Sequence, residues 1–150
     1  MANLNRFLQA QDDFDTYRRA LQEMKAGRKT SHWVWFIFPQ LKGLGRSYNS
    51  NYYGIESLKE AEEYMADLVL GKRLREITSA VLSHRGDDID VIMGGKIDAK
   101  KFRSSMTLFD AVCPGDIFSE VLEVFFGGMR DSRTVGRIST FVPNGSGISC

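Results

Sequence analysis

The chain has 150 residues, 43% apolar and 26% charged, which fits one globular domain with a proper core rather than a disordered protein. Lys and Arg number 20 against 19 Asp and Glu, a formal charge of +1. A duplex-DNA binder carries a clear basic excess, so global charge argues against nucleic acid and leaves room only for a local patch.

Helical periodicity dominates the chain. Phe14, Tyr17, Leu21 and Met24 recur at spacings of three and four, and Gly27 marks a stop. Trp33–Phe38 is apolar throughout and reads as a strand or a helical turn; with no partner strand evident, the helical reading is taken. Leu58, Ala61, Met65 and Leu68 form the next stripe, with Ser57 and Glu60 as a capping box. Leu70, Leu74, Ile77, Val81 and Leu82 form another, ending before Gly86.

A short helical turn over Asp90–Met93 is closed by Gly94-Gly95. Phe102, Met106, Phe109 and Cys113 follow a cap at Asp98 and stop at Pro114-Gly115. Asp116 caps a helix through Ile117, Val121, Val124 and Phe125, and a last short helix starts at Asp131 or Ser132. The fold class expected is all-α: a compact single-domain bundle of about six to eight helices with orthogonal packing, spanning residues 1–138. Residues 139–150, with Pro143, Gly145 and Gly147, are expected to be a flexible tail.

Cys113 falls in an apolar stripe and Cys150 ends the tail, which reads as reduced thiols in a cytoplasmic protein rather than a disulfide scaffold. The first six residues lack the basic-then-apolar order of a signal peptide. Trp33–Phe38 is too short to span a membrane, so no membrane partner is expected. His32 and His84 are the only histidines, no Cys/His set has zinc spacing, and Asp87, Asp88 and Asp90 lack the glycine placement of an EF-hand. No metal or other cofactor is expected, and oligomeric state is left open.

The segment Ser31–Ser47 carries the candidate chemistry. No Asp or Glu lies between Glu23 and Glu56, while Lys25, Arg28, Lys29, Lys42, Arg46 and His32 do. Trp33, Trp35 and Tyr53 fall in the same stretch, a mixture suited to a planar anionic ligand. Glycine amides of Leu41–Ser47 could form an anion nest, or the glycines could only turn the chain; the loop is neither a P-loop nor a dinucleotide fingerprint. His32, beside Ser31, is a candidate acid/base or a helix cap. Gln40, after Pro39, either reads a ligand edge or ties the loop. A second candidate is Lys101–Phe109, where Arg103, Thr107 and Asp110 share the flank of the apolar stripe. Arg103 there either pairs with Asp110 or reaches an anion, with Ser104 beside it. Phe125–Asp131 reads as a helix stop and a new cap. Neither Ser31 nor Ser104 sits in a nucleophile elbow.

Three blocks in this order, Ser31–Ser47, Lys101–Phe109 and Phe125–Thr134, with Tyr53-Gly54-Ile55 and the Val69–Leu74 helix start, resemble the domain of unknown function 1810 family over roughly residues 3 to 138. The resemblance implies a compact all-α fold and no assigned reaction. The family sometimes carries the label calpastatin, which does not suit a folded domain, since such calpain inhibitors are long disordered repeats. In fold character and aromatic composition the chain is more loosely similar to the NADAR group of ADP-ribose-processing N-glycosidases, an analogy that does not establish function.

Two functions compete. One is a binder or hydrolase, an N-glycosidic hydrolase in its enzymatic form, of a phosphorylated nucleotide-like small molecule. His32 and Asp110 would be its catalytic pair, and Trp33, Trp35, Gln40, Lys42, Arg46, Tyr53, Arg103 and Ser104 its ligand-binding set. It requires a pocket where Ser31–Ser47 meets the Arg103 flank. The alternative is a non-catalytic interaction module presenting a flat aromatic patch to a protein or nucleic-acid partner.

Overall fold

The first helix, α1 (Asn5–Asp12), buries Arg6, Phe7 and Gln11 and leads into a 3₁₀ turn, Asp13–Asp15, in a computed structural model that describes residues 3–139 and Cys150. Phe14 and Asp15 take left-handed φ values of 55° and 57°, which breaks the periodicity read through Phe14. Phe14 is 88% exposed instead of joining the core. α2 (Thr16–Ala26) carries the rest of that stripe, buries Ala20 and Met24, and is stopped by left-handed Gly27.

Trp33–Phe38 is a single helical turn, α3 (Val34–Ile37). A short helix, α4 (Tyr48–Tyr52), is capped by Ser47, whose hydroxyl accepts the Ser50 N–H. The segment between α3 and α4 makes one isolated parallel bridge with Ile55, which follows α4: Lys42 N–H donates to Ile55 (2.8 Å) and Ile55 N–H to Gln40 (2.9 Å). The approach is close enough that a Cβ on Gly54 would lie 2.5 Å from the Lys42 Cα, so only glycine fits there.

α5 (Leu58–Ala66) starts on the Ser57 hydroxyl, which accepts the Glu60 N–H. The reciprocal half of the expected capping box is absent: the Glu60 carboxylate accepts from Glu56 N–H and from Arg6. α5 ends before Leu68, which is 90% exposed rather than part of the stripe. α6 (Leu70–Leu82) buries Leu70, Leu74, Ile77, Val81 and Leu82, and α7 (Ile89–Ile92) is capped by Asp88.

α8 (Lys96–Val112) is the central helix, in contact with α3, α5, α7 and with the two helices that follow it, α9 (Ile117–Phe126) and α10 (Ser132–Ile138). It begins three residues earlier than a cap at Asp98 would allow, with Gly95 at the cap position. Asp98 lies in the first turn, where the helix dipole favours a carboxylate, and it pairs with Lys29 (2.8 Å). Asp116 and Asp131 cap the last two helices as expected.

The core is built on the apolar face of α8. Phe102, Met106 and Phe109 are fully buried, with Phe38 edge-on to Phe102 at 4.7 Å and Tyr64 against Phe109 at 5.4 Å. Each such ring contributes about 1.5–3 kcal/mol of burial, which anchors α8 in the core. The all-α expectation holds: among the described residues seven helices have seven or more residues and three are shorter, with no strand. No helix among them is long and apolar enough to cross a membrane.

The two cysteines depart from the reading as separate thiols. Cys113, at the C-terminal end of α8, is joined to Cys150 across a separation of 37 residues. Pairing depends on how α9 and α10 return along α8, which spacing does not encode, and the sulfurs therefore lend no support to a reduced compartment. The rest of the expected tail, residues 140–149, lies outside the described residues.

Candidate functional site

The exposed side of α8 forms the floor of an open cleft of about 420 Å³. Successive helical turns send Lys100, Lys101, Arg103 and Ser104 into it. Gln40, Leu44 and Gly45 form one wall, and Asp131, Ser132 and Arg133 the other. The cleft therefore lies where the Ser31–Ser47 segment meets the Arg103 flank.

Two observations explain how the walls are held. Arg133 donates to the Leu44 carbonyl (2.8 Å) and Arg137 to that of Gly43 (3.3 Å), so α10 clamps the glycine loop. The loop is thus tied through its carbonyls, and Lys42 N–H is spent on Ile55, in place of an amide nest. On the other side, the Thr107 hydroxyl donates to the Arg103 carbonyl (2.8 Å) and accepts the Asp131 N–H (3.0 Å). Asp131 then accepts from Thr134 N–H (2.9 Å) and hydroxyl (2.6 Å), which starts α10 beside α8.

Arg103 is the most informative side chain. Its guanidinium lies 3.8 Å from Asp131 and 5.9 Å from the Phe126 ring centre, and its Nε is buried with no partner. The Arg103–Asp110 pair expected from the helical wheel does not form. Asp110 instead holds Arg130 through Nε (3.0 Å) and Nη2 (2.9 Å), because the α9–α10 connection brings that arginine over the next turn.

The remaining candidates separate. Gln40 and Ser104 line the cleft, the latter donating to the Lys100 carbonyl. His32 is exposed and lines none of the cavities described here. Trp33 is fully buried, with its indole N–H on Glu23 (3.0 Å), so neither ring face is open to a ligand. Trp35 borders a crevice of only about 10 Å³ shared with Gln40, Tyr53 and Lys101, with the Lys101 ammonium 5.5 Å from its ring. Tyr53 is packed against Phe7, Phe36 and Tyr52, and burial raises its phenol pKa. Lys42 is exposed and pairs with Glu56 (3.6 Å); Arg46 is exposed and outside the cleft.

The acid-free stretch is less positive in space than in sequence. Lys29 is buried on Asp98 and lies 5.0 Å from the Trp33 ring, while Glu23 returns to Thr30–Trp33. Burial alone would raise the Glu23 pKa, but four hydrogen bonds outweigh it: the Ser31 hydroxyl (2.6 Å), Thr30 N–H (2.8 Å), Trp33 indole (3.0 Å) and Ser31 N–H (3.1 Å). The carboxyl sits below its ordinary range.

The sequence does not mark Lys100, Asp131, Ser132 and Arg133 as site residues; Asp131 and Ser132 read there only as a helix start. The cation density of Lys100, Lys101 and Arg103 within one turn was the available signal for the first. Asp131 and Arg133 carry no such mark, because a helix start reads the same whether or not it borders a cleft. No group of three or more His, Cys, Asp or Glu placed to hold a metal occurs among the described residues.

The family model described as Protein of unknown function (DUF1810) matches residues 1–138. The chain is also similar to the crystal structure of the conserved hypothetical protein Rv1873 from Mycobacterium tuberculosis. Their identity is 44% and the TM-score 0.85, over 91% of this chain and 96% of that one. No curated protein matches.

Proposed function

We propose that this chain, which belongs to the DUF1810 family, binds a small phosphorylated anion in the α8 cleft. One observation carries the reading: Lys100, Lys101, Arg103 and Arg133 line the cleft against a single carboxylate, Asp131. Lys101 also pairs with Asp98 at 3.8 Å and Arg133 is partly engaged by the Leu44 carbonyl, yet the lining keeps an excess of positive charge that favours a dense negative charge. The buried, unpartnered Nε of Arg103 adds a donor that a bound oxygen would satisfy. The Ser132 hydroxyl and the Gln40 amide supply neutral donors around it, whereas the Ser104 hydroxyl is spent on the Lys100 carbonyl.

Binding is favoured over hydrolysis because neither proposed catalytic residue borders the cleft: His32 lies outside it and Asp110 is engaged by Arg130. The interaction-module reading rests on a different feature, the exposed stacked pair Tyr48 and Tyr52, 5.7 Å apart and 9° from parallel.

Lys100 joins none of the ion pairs among the described residues and is exposed, so Lys100→Ala tests the cleft without disturbing the fold. Titration with inorganic diphosphate, read by calorimetry and thermal shift, is expected to raise the midpoint of the wild type. The variant should keep its unliganded midpoint and bind about tenfold more weakly, the effect of about 1.4 kcal/mol from one charge-assisted contact. Equal binding by both proteins, or none by the wild type, would exclude the reading.

A further inference from the structure

Arg103 and Lys100 do not end the cleft; they divide it. On their other side lies a second concavity of about 310 Å³, and the two residues line both. The helical spacing explains the arrangement: Lys96 and Ala99 open to one side of the Lys100–Arg103 ridge, Lys101 and Ser104 to the other.

The lobes differ in chemistry. The first holds the extra cations Lys101 and Arg133 and the serine hydroxyls. The second has an apolar lining of Ile89, Ala99 and Phe126, bordered by Asp90, whose carboxylate pairs with Lys96 at 3.4 Å. An aromatic side chain beside an apolar surface favours a flat ring, and a carboxylate at its edge accepts a ring or exocyclic N–H. The Arg103 guanidinium, 5.9 Å from the Phe126 centre, spans from that ring to the cationic lobe.

We infer that the occupant is a nucleoside phosphate, with its heteroaromatic base in the Phe126–Asp90 lobe and its phosphates across the ridge on Lys100, Arg103 and Arg133. This rests on the anion-binding reading above and adds the ligand class. It also moves the aromatic contact from the tryptophans, which the fold uses internally, to Phe126. The groove suits a single nucleotide: the two open lobes share the Lys100–Arg103 ridge, and together they fall within the size range of small-molecule clefts.

The test compares ADP, adenosine and inorganic diphosphate on the full chain by calorimetry. ADP is expected to bind at least tenfold more tightly than diphosphate and to compete with it. Phe126→Leu, which keeps an apolar group against Phe102, and Asp90→Asn should each reduce ADP affinity toward that of diphosphate while leaving diphosphate binding unchanged. If ADP and diphosphate bind equally, or both variants leave ADP affinity intact, the base has no seat and the inference fails while the anion reading stands. If diphosphate itself does not bind, both fall together. Two substitutions guard against a packing effect at Phe126, since Asp90 is a surface residue of a different helix.

Discussion

The pair that most directly links the fold to the cleft is Arg6 with Glu60, whose side chains are only 7% and 4% exposed. Arg6 grips the carboxylate with both terminal nitrogens, at 3.0 and 3.1 Å, and donates to the carbonyls of Tyr52 and Gly54 at 2.9 Å each. Arg6→Ala would leave the Glu60 charge buried with the Glu56 N–H as its nearest remaining support, and would strip the Asn3, Tyr52 and Gly54 carbonyls of their donor. Removing one partner of such a buried pair costs about 3–5 kcal/mol. At about 2–4 °C per kcal/mol for a chain of this size, the melting midpoint should fall by about 6–20 °C. Urea unfolding followed by circular dichroism measures this. The double variant Arg6→Met/Glu60→Leu, which removes both charges and keeps the volume, should recover most of the loss. Because Gly54 precedes Ile55, whose N–H holds the Gln40 carbonyl, Arg6→Ala should also loosen the Gln40 wall and weaken diphosphate binding from a distance. A cost under about 1 kcal/mol, the range of a solvent-exposed pair, would refute this account of the buried contact.

Two further expectations follow from single contacts. Glu23 has a depressed folded pKa, so its stabilisation is present above the ordinary carboxylate pKa of about 4.3 and is lost as pH falls through the folded value. Glu23→Gln should therefore lower the midpoint at pH 7, with the gap to wild type closing as the solution is acidified; a gap independent of pH would contradict the hydrogen-bond explanation. The Cys113–Cys150 link closes a loop of sequence separation 37, worth about 4 kcal/mol by chain entropy. Reductant should lower the wild-type midpoint and leave Cys150→Ser unchanged near the reduced value, and an indifferent wild type would show that the link does not stabilise the fold.

Much of the helical framework was legible locally. The stripes of α6 and α8, the stop at Gly27 and the caps at Ser57, Asp116 and Asp131 each depend on residues within one or two turns. Local pattern failed where a neighbour far along the chain decides the outcome. Phe14 keeps the helical spacing but falls on a left-handed turn, and Leu68 lies past the end of its helix. Trp33 and Trp35 marked the right region without marking exposure, because an aromatic residue reads the same in a core and at a binding surface.

The amino-acid sequence by itself determined the helical class, most helix ends and the region where the cleft is found, because these rest on periodicity, capping and composition. The tertiary structure alone decided which charges face solvent. It paired Lys29 with Asp98, Asp110 with Arg130 and Cys113 with Cys150, and it brought Arg133 beside Lys100 and Arg103. The reason is physical: a local pattern sets which way a side chain leaves its own helix, whereas the partner it meets depends on where the chain returns. Gln40, Arg103 and Arg133 meet only because α10 clamps the glycine loop against α8, a contact between segments some ninety residues apart.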